Sequence, residues 1–113
     1  TRPDSHAAAR TLVLDEIDAG IGGRAAEAVG RKLQQLGQHF QVLCVTHLPQ
    51  IASFANHHLQ VEKLAAQGRT RTQVAALEGA ARAAEIARML AGNAQDPTAL
   101  KHAKQLLAAY ASR

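Results

Sequence analysis

The sequence contains no tryptophan, only three aromatic residues and a single cysteine. One cysteine excludes an internal disulfide, and we expect Cys44, which lies in an apolar run, to be a structural thiol rather than a reactive one. Three aromatic residues offer no stacking platform for single-stranded nucleic acid. No run of about 18 apolar residues occurs, and the first ten residues lack a signal-peptide pattern. We therefore expect no membrane span, no secretion and a cytoplasmic location.

The composition that remains is that of a small, Ala-rich and mildly basic protein. It has 113 residues, 47% of them hydrophobic, and a net charge of +4. This charge permits contact with nucleic acid, but the basic residues are scattered and do not establish it. Residue 1 is Thr rather than Met, and residues 1–10 have the composition of a linker. We therefore expect a piece of a longer protein, with a linker at 1–10 and one folded unit at 11–113.

Hydrophobic patterning predicts an α/β fold. Residues 11–14 and 41–46 are short apolar runs that suit parallel strands buried on both faces. Between them, residues 24–36 carry a helical apolar stripe, and Gly37 is placed as a terminator. The order strand, helix, strand fits a right-handed crossover unit.

The second half of the chain predicts a hairpin and three helices. Residues 48–55 suit a short helix, and residues 58–64 and 69–77 suit two strands joined at Gln67-Gly68. Two helices follow at 80–91 and 98–111. Asp96 and Pro97 are favourable cap and first-turn residues for the second of these.

Two adjacent carboxylates, Asp15 and Glu16, follow the first strand. Ligands favour the carboxyl edge of a parallel sheet. In nucleoside triphosphatases a carboxylate at this place helps to hold Mg²⁺, and a neighbouring Glu orients and deprotonates the attacking water. The alternative is a solvated acidic turn.

A histidine ends the second strand at the same expected edge. His47 can donate a hydrogen bond to a terminal phosphate, although it can equally be an ordinary loop histidine. Gly20, Gly22 and Gly23 allow either a close approach by another subunit or a flexible turn. Asp18 either shares in contacts of that loop or only solvates it.

These residues together resemble a known family. Asp-Glu-Ile-Asp-Ala-Gly-Ile-Gly-Gly at 15–23 and Val-Thr-His-Leu-Pro-Gln-Ile-Ala at 45–52 resemble the carboxyl-terminal end of the RecN family of bacterial DNA repair proteins, which are SMC-like ATPases of the ABC type. The resemblance continues through Thr-Arg-Thr at 70–72 and Glu-Ile-Ala-Arg-Met-Leu-Ala-Gly at 85–92. It runs from about residue 11 to the end.

The resemblance implies a role for each matching residue. Asp15 would be the Walker B aspartate, which binds Mg²⁺ through water, and Glu16 the catalytic glutamate. Asp18, Gly20, Gly22 and Gly23 would form the D-loop region at the ATP site, and His47 would be the switch histidine. The fold would be part of a P-loop NTPase head of ABC/SMC type, with parallel core strands, a carboxyl-terminal hairpin and two carboxyl-terminal helices.

The resemblance also implies missing parts, because the sequence has neither a GxxxxGK[ST] phosphate loop nor a Ser-Gly-Gly signature. The chain would be about half of one head, and we expect it not to hydrolyse ATP alone. Its implied partners are the amino-terminal half of the head, a second head in an ATP-dependent dimer, and DNA. The implied location is the bacterial cytoplasm, in association with the nucleoid.

Alternative functions remain open at the level of sequence. The Asp-Glu-Ile-Asp string also occurs in AAA+ ATPases and resembles the DExD box of helicases, although those families place other residues where Thr46 and His47 stand. A truncated chain could also be a non-catalytic remnant that acts as an interaction fragment, since exposed strand edges invite pairing.

The remaining charged residues suggest surface roles. We expect His57 and His58 to lie at the surface on opposite faces of a strand and to form no zinc site. We expect Arg82 and Arg88 to form surface salt bridges with Glu85.

Overall fold

The computed structural model describes residues 10–15 and 20–111. The predicted linker at 1–10 therefore lies, apart from Arg10, outside the described residues, and so do Glu16 and Asp18. The described part is an α/β fold with a small parallel sheet, an antiparallel hairpin and helices at its carboxyl-terminal end. Its elements are β1 (Thr11–Asp15), α1 (Gly23–Leu36), β2 (Gln41–Val45), α2 (Pro49–Ala52), β3 (His58–Ala66), β4 (Arg69–Leu77), α3 (Gly79–Ala91) and α4 (Pro97–Tyr110).

The first two strands form a parallel pair, as predicted, and helix α1 connects them. The prediction that they are buried on both faces was wrong. Leu12 and Leu14 are half-buried on one face, whereas Val13 is 68% exposed and Val45 60% exposed on the other. Successive residues of each strand are apolar, so both faces of the sheet are apolar. Nothing in the described chain packs against the second face. The sheet therefore presents an open apolar face.

Strands β3 and β4 form the predicted hairpin. Its turn is Gln67-Gly68, and both residues have positive φ, at 54° and 76°. Positive φ at both central residues is typical of a two-residue turn whose twist matches that of the flanking strands. The strands pair over nine residues each, and nearly all of their residues are exposed.

The two carboxyl-terminal helices pack on one another and on α2 around a core of small and aliphatic side chains. Ile86 is fully buried at the centre of this core. The buried members are Ala52, Ile86, Ala87, Ala99 and Ala103, with Met89, Leu90, Leu100, Leu106 and Leu107 packed against them. Alanines at the contact let helices approach closely, which explains how an Ala-rich chain with few aromatics builds a core.

Helix α4 begins with the predicted cap. The Asp96 carboxylate accepts a hydrogen bond of 3.0 Å from the backbone N–H of Ala99, and Pro97 occupies the first turn. This contact satisfies one of the backbone donors that a helix start leaves without an intrahelical partner.

We expect Asp96→Ala to lower the free energy of unfolding by about 1 kcal/mol, because that donor loses its acceptor. Thermal denaturation followed by circular dichroism should show a lower midpoint. Gln95→Ala is the matched control, since the Gln95 side chain is exposed and accepts no helix donor. Equal midpoints for the two variants would show that the Asp96 cap does not stabilise α4.

Candidate functional site

The parallel register brings the ends of β1 and β2 to one edge of the sheet. Asp15 pairs with Val45, and Thr46 and His47 follow immediately. Paired strands lie about 4.8 Å apart, so Asp15 and the residues after β2 flank one edge. The Asp15 side chain is exposed, and within the described chain its carboxylate has no hydrogen bond or ion pair. Asp15 can therefore accept a cation or a donor from another molecule.

The backbone beside His47 is held by local contacts. Leu48 donates its backbone N–H to Thr46 Oγ1 at 3.0 Å, and Pro49 begins helix α2. Ser53, fully buried, donates its hydroxyl to the Pro49 carbonyl at 2.7 Å. His47 itself is exposed. An exposed imidazole thus follows a strand and precedes a turn whose geometry is fixed.

The glycine cluster precedes α1. Gly20 has a φ of +77°, a conformation that favours glycine. Gly22 accepts the Ala26 N–H at 2.9 Å as the first helical bond. A Cβ at Gly22 or Gly23 would meet nothing within 4 Å, so no contact within the described chain requires glycine there.

Sequence reasoning missed an aromatic cluster that anchors the segment after His47. We call Gly30, Arg31, Gln34, Phe54 and Tyr110 the Phe54 cluster. The rings of Phe54 and Tyr110 stack with centroids 4.4 Å apart, and the Arg31 guanidinium lies 5.5 Å from the Phe54 centroid. Gln34 donates its amide to the carbonyls of Phe54 (3.0 Å) and Tyr110 (2.6 Å). Helices α1 and α4 are joined through Phe54.

The prediction that Arg82 forms a surface salt bridge was wrong. Its guanidinium donates to the carbonyl of Ala52 (3.2 Å), the last residue of α2, and to that of Ala55 (2.7 Å), in the segment that follows. A carbonyl at a helix end lacks an intrahelical donor, and the Ala52 carbonyl accepts from Arg82 as well as from the backbone N–H of Ala55. Glu85, 9% exposed, pairs with Arg88 at 2.6 Å instead, so that part of the prediction is confirmed. Arg82 thus attaches α2 to α3.

His58 also differs from its predicted surface position. It is half-buried, because the side chain lies at the root of the hairpin beside Arg82, whereas His57 is exposed. Burial lowers the pKa of His58, the positive charge of Arg82 lowers it further, and Glu85 acts in the opposite direction. His58 is therefore neutral over a wider pH range than a free histidine.

Among residues 10–15 and 20–111, no group of three or more His, Cys, Asp and Glu side chains is arranged to hold a metal ion. The same residues include no helix long and apolar enough to span a membrane.

Comparison with known proteins finds similarity to bacterial DNA repair proteins named RecN. The chain is 54% identical over 98 residues to the DNA repair protein RecN of Deinococcus radiodurans and 50% identical over 97 residues to that of Streptomyces coelicolor. The RecN protein of Haemophilus influenzae is 44% identical over 97 residues. These matches cover 86–87% of this chain but only 17% of each relative. No protein-family model matches the chain.

Proposed function

Because the chain is homologous to one segment of the RecN DNA repair proteins, we propose that it is the carboxyl-terminal half of an ABC/SMC-type P-loop ATPase head that acts in the repair of DNA double-strand breaks. The head half spans residues 11–113, and residues 1–10 are a linker. The chain spans about a sixth of the length of the relatives, so the phosphate-binding loop and the signature motif belong to other parts of the complete protein.

One observation carries this proposal: the in-register pairing of β1 and β2 brings Asp15 and the Thr46-His47 pair to one sheet edge. In the proposed site, Glu16 deprotonates and orients the water that attacks the terminal phosphate. His47 donates a hydrogen bond to that phosphate. Consecutive residues that leave a strand point in different directions, so Asp15 and Glu16 can serve different partners.

Asp15 fits a Mg²⁺ ion that a bound nucleotide would also ligate. Mg²⁺ takes one or two carboxylates and keeps several waters, with phosphate oxygens completing its ligands, which suits a single exposed Asp15. When bound, the ion would neutralise charge on the phosphates. The D-loop residues of the proposed site are Asp18, Gly20, Gly22 and Gly23. Within the described residues, a Cβ at Gly22 or Gly23 would meet nothing within 4 Å, so neither position is covered by a contact that a second head would have to displace.

The partners follow from what the chain exposes. The open face of the parallel pair, with Val13, Leu43 and Val45 all at least 45% exposed, is the surface we assign to the amino-terminal half of the head. Burial of such apolar area stabilises an association by about 25 cal/mol per Å² before association costs. A second head and DNA complete the assembly, which we place at the nucleoid in the bacterial cytoplasm.

Complementation tests the proposal. The 113-residue chain alone is expected to hydrolyse no ATP above background, because it lacks the lysine and backbone amides that hold the triphosphate. Mixing it with a polypeptide that carries the missing half of a RecN head should restore Mg²⁺-dependent release of phosphate. Asp15→Asn in the mixture should abolish that release, whereas Asp96→Asn, remote from the edge, should not. Mg²⁺-dependent turnover by the chain alone would overturn the proposal.

The exposed apolar faces also favour a second candidate, a non-catalytic interaction fragment. The same mixture discriminates between the two. A stable complex on size-exclusion chromatography without any ATP turnover would support the interaction fragment. The homology to RecN lends no support to an AAA+ or helicase function.

A further inference from the structure

The root of the β3–β4 hairpin meets helix α3 at two basic side chains. His58, the first residue of β3, is half-buried and lies beside Arg82 of α3. Nδ1 of His58 and Nε of Arg82 are both buried, and neither has a hydrogen-bond partner among residues 10–15 and 20–111. Two groups that can both be positively charged therefore share one poorly solvated place at the junction of the hairpin and the helix.

This environment suits a neutral imidazole at residue 58 and opposes an imidazolium. A neutral imidazole can leave Nδ1 without a proton, whereas an imidazolium carries an N–H on both ring nitrogens. A buried N–H at Nδ1 needs an acceptor, and no described residue supplies one. The added proton would also place a second positive charge beside the guanidinium of Arg82. Protonation of His58 therefore conflicts with the packing at the hairpin root.

The acidic groups near this place do not offset the conflict. Glu85 on α3 favours a charged His58, but its carboxylate already accepts two hydrogen bonds from Arg88, at 2.6 and 3.0 Å. The other titratable side chains that border the same cavity are exposed to solvent, namely His57 and Glu78. Burial and the charge of Arg82 outweigh Glu85, so the pKa of His58 lies below the ordinary value for histidine.

A proton on His58 would affect more than the hairpin, because Arg82 also holds a second segment. Its guanidinium donates to the carbonyls of Ala52 and Ala55, at the end of α2 and just beyond it. Helix α2 begins two residues after His47. We propose that His58 and Arg82 form a pH-sensitive attachment, which holds the hairpin and α2 on α3 while His58 is neutral and loosens when His58 is protonated. This proposal does not rest on nucleotide chemistry at the sheet edge.

The stability of the chain should follow the protonation of His58. Above pH 6.5, the ordinary pKa of histidine, residue 58 is mostly neutral in both the folded and the unfolded chain, and the attachment is complete. As the pH falls below 6.5, the unfolded chain binds a proton that the folded chain resists. The free energy of unfolding then decreases, until the pH is low enough to protonate His58 in the folded chain as well.

Thermal denaturation of the 113-residue chain, followed by circular dichroism at about pH 7.5 and about pH 5.5, measures this loss. The midpoint of the parent should fall between the two pH values. In H58Q, which removes the titrating group but keeps a polar side chain, this fall should be smaller by several degrees. H57Q is the matched control, since His57 is the exposed neighbour, and it should show the fall of the parent. Equal falls in the parent and H58Q would overturn the proposal.

A second measurement uses the unmodified chain and does not depend on how H58Q folds. In an NMR titration, the imidazole of His58 should titrate below pH 6.5, and the backbone amide signals of Ala52 and Ala55 should shift in the same transition. The amide of Ala103, in the core of α4, should not follow it. A transition of His58 at or above pH 6.5, or one that leaves Ala52 and Ala55 unchanged, would refute the attachment. Neither measurement involves nucleotide, so such a result leaves the ATPase proposal standing.

Discussion

Glu16→Gln in a complete RecN-type protein that carries this segment is expected to lower the rate of ATP hydrolysis about 10²–10⁴-fold. The substitution removes the base that accepts the proton of the attacking water, and general-base catalysis contributes a factor of this size. The loss equals about 3–5 kcal/mol of transition-state stabilisation. Binding of ATP should persist, because Gln is similar in size and the phosphate-binding loop lies elsewhere. Phosphate release under single-turnover conditions measures the first effect, and equilibrium binding of a fluorescent ATP analogue measures the second.

Glu78→Gln is the matched control for this prediction. Glu78 is exposed, precedes helix α3 and makes no side-chain cap bond. The same change of charge at this position should leave hydrolysis within about twofold of the parent, as surface substitutions do. Two results would contradict the role of Glu16: turnover that stays unchanged in Glu16→Gln, or a loss of ATP binding that accounts for the whole decrease in rate.

The candidate edge was largely predictable from the sequence, because it depends on local patterns. Short apolar runs end at Asp15 and at Thr46-His47, and a helix of the right length separates them. Consecutive strands joined by a helix are usually parallel and neighbouring in the sheet, which is the arrangement found here. The register that pairs Asp15 with Val45 is a structural result that a pattern does not specify. The roles of Glu16 and Asp18 remain predictions, since both lie outside the described residues.

Burial was harder to predict than secondary structure. An apolar run such as residues 11–14 indicates a strand with two apolar faces, but what covers each face depends on other segments. Arg82 illustrates the same point for polar residues. Its position three residues before Glu85 on a helix favours a salt bridge. Its actual acceptors are the carbonyls of Ala52, which ends α2, and of Ala55 just beyond it, and they lie within reach because α2 contacts α3.

For helix α1 the sequence predicted the bounds but not the role of each glycine. Its bounds were predicted within one residue, and it ends before Gly37 as expected. Gly37 has a φ of −63°, however, so the helix end does not use the left-handed conformation that glycine permits. Gly30, which is buried in the middle of the helix against Phe54, has a packing role. A glycine inside a helix is less favourable than alanine by about 1 kcal/mol. Gly30 in the middle of a predicted helix was therefore the sequence signal of a close contact.

Gly30→Ala is accordingly expected to destabilise the protein, although alanine favours helices. A Cβ at residue 30 would lie 2.8 Å from Cε2 of Phe54 and closer still to its Cδ2. The Phe54 ring is 3% exposed and stacks on Tyr110, so it has little space into which to move. Overpacking costs about 1–3 kcal/mol, and a contact this short belongs at the upper end of that range, whereas alanine gains about 1 kcal/mol in helix propensity. We expect a net loss of about 2 kcal/mol, measured by urea denaturation.

Gly23→Ala in the same helix is the control that isolates packing from propensity. A Cβ at Gly23 meets nothing within 4 Å, so this variant should be as stable as the parent or slightly more stable. Opposite signs for two identical substitutions would show that contact with Phe54, rather than the residue type, decides the effect. Equal stability of both variants would mean that the ring yields. A ring that moves this easily is not held rigidly between helix α1 and helix α4. The Phe54 cluster would then not fix the position of the segment that follows His47.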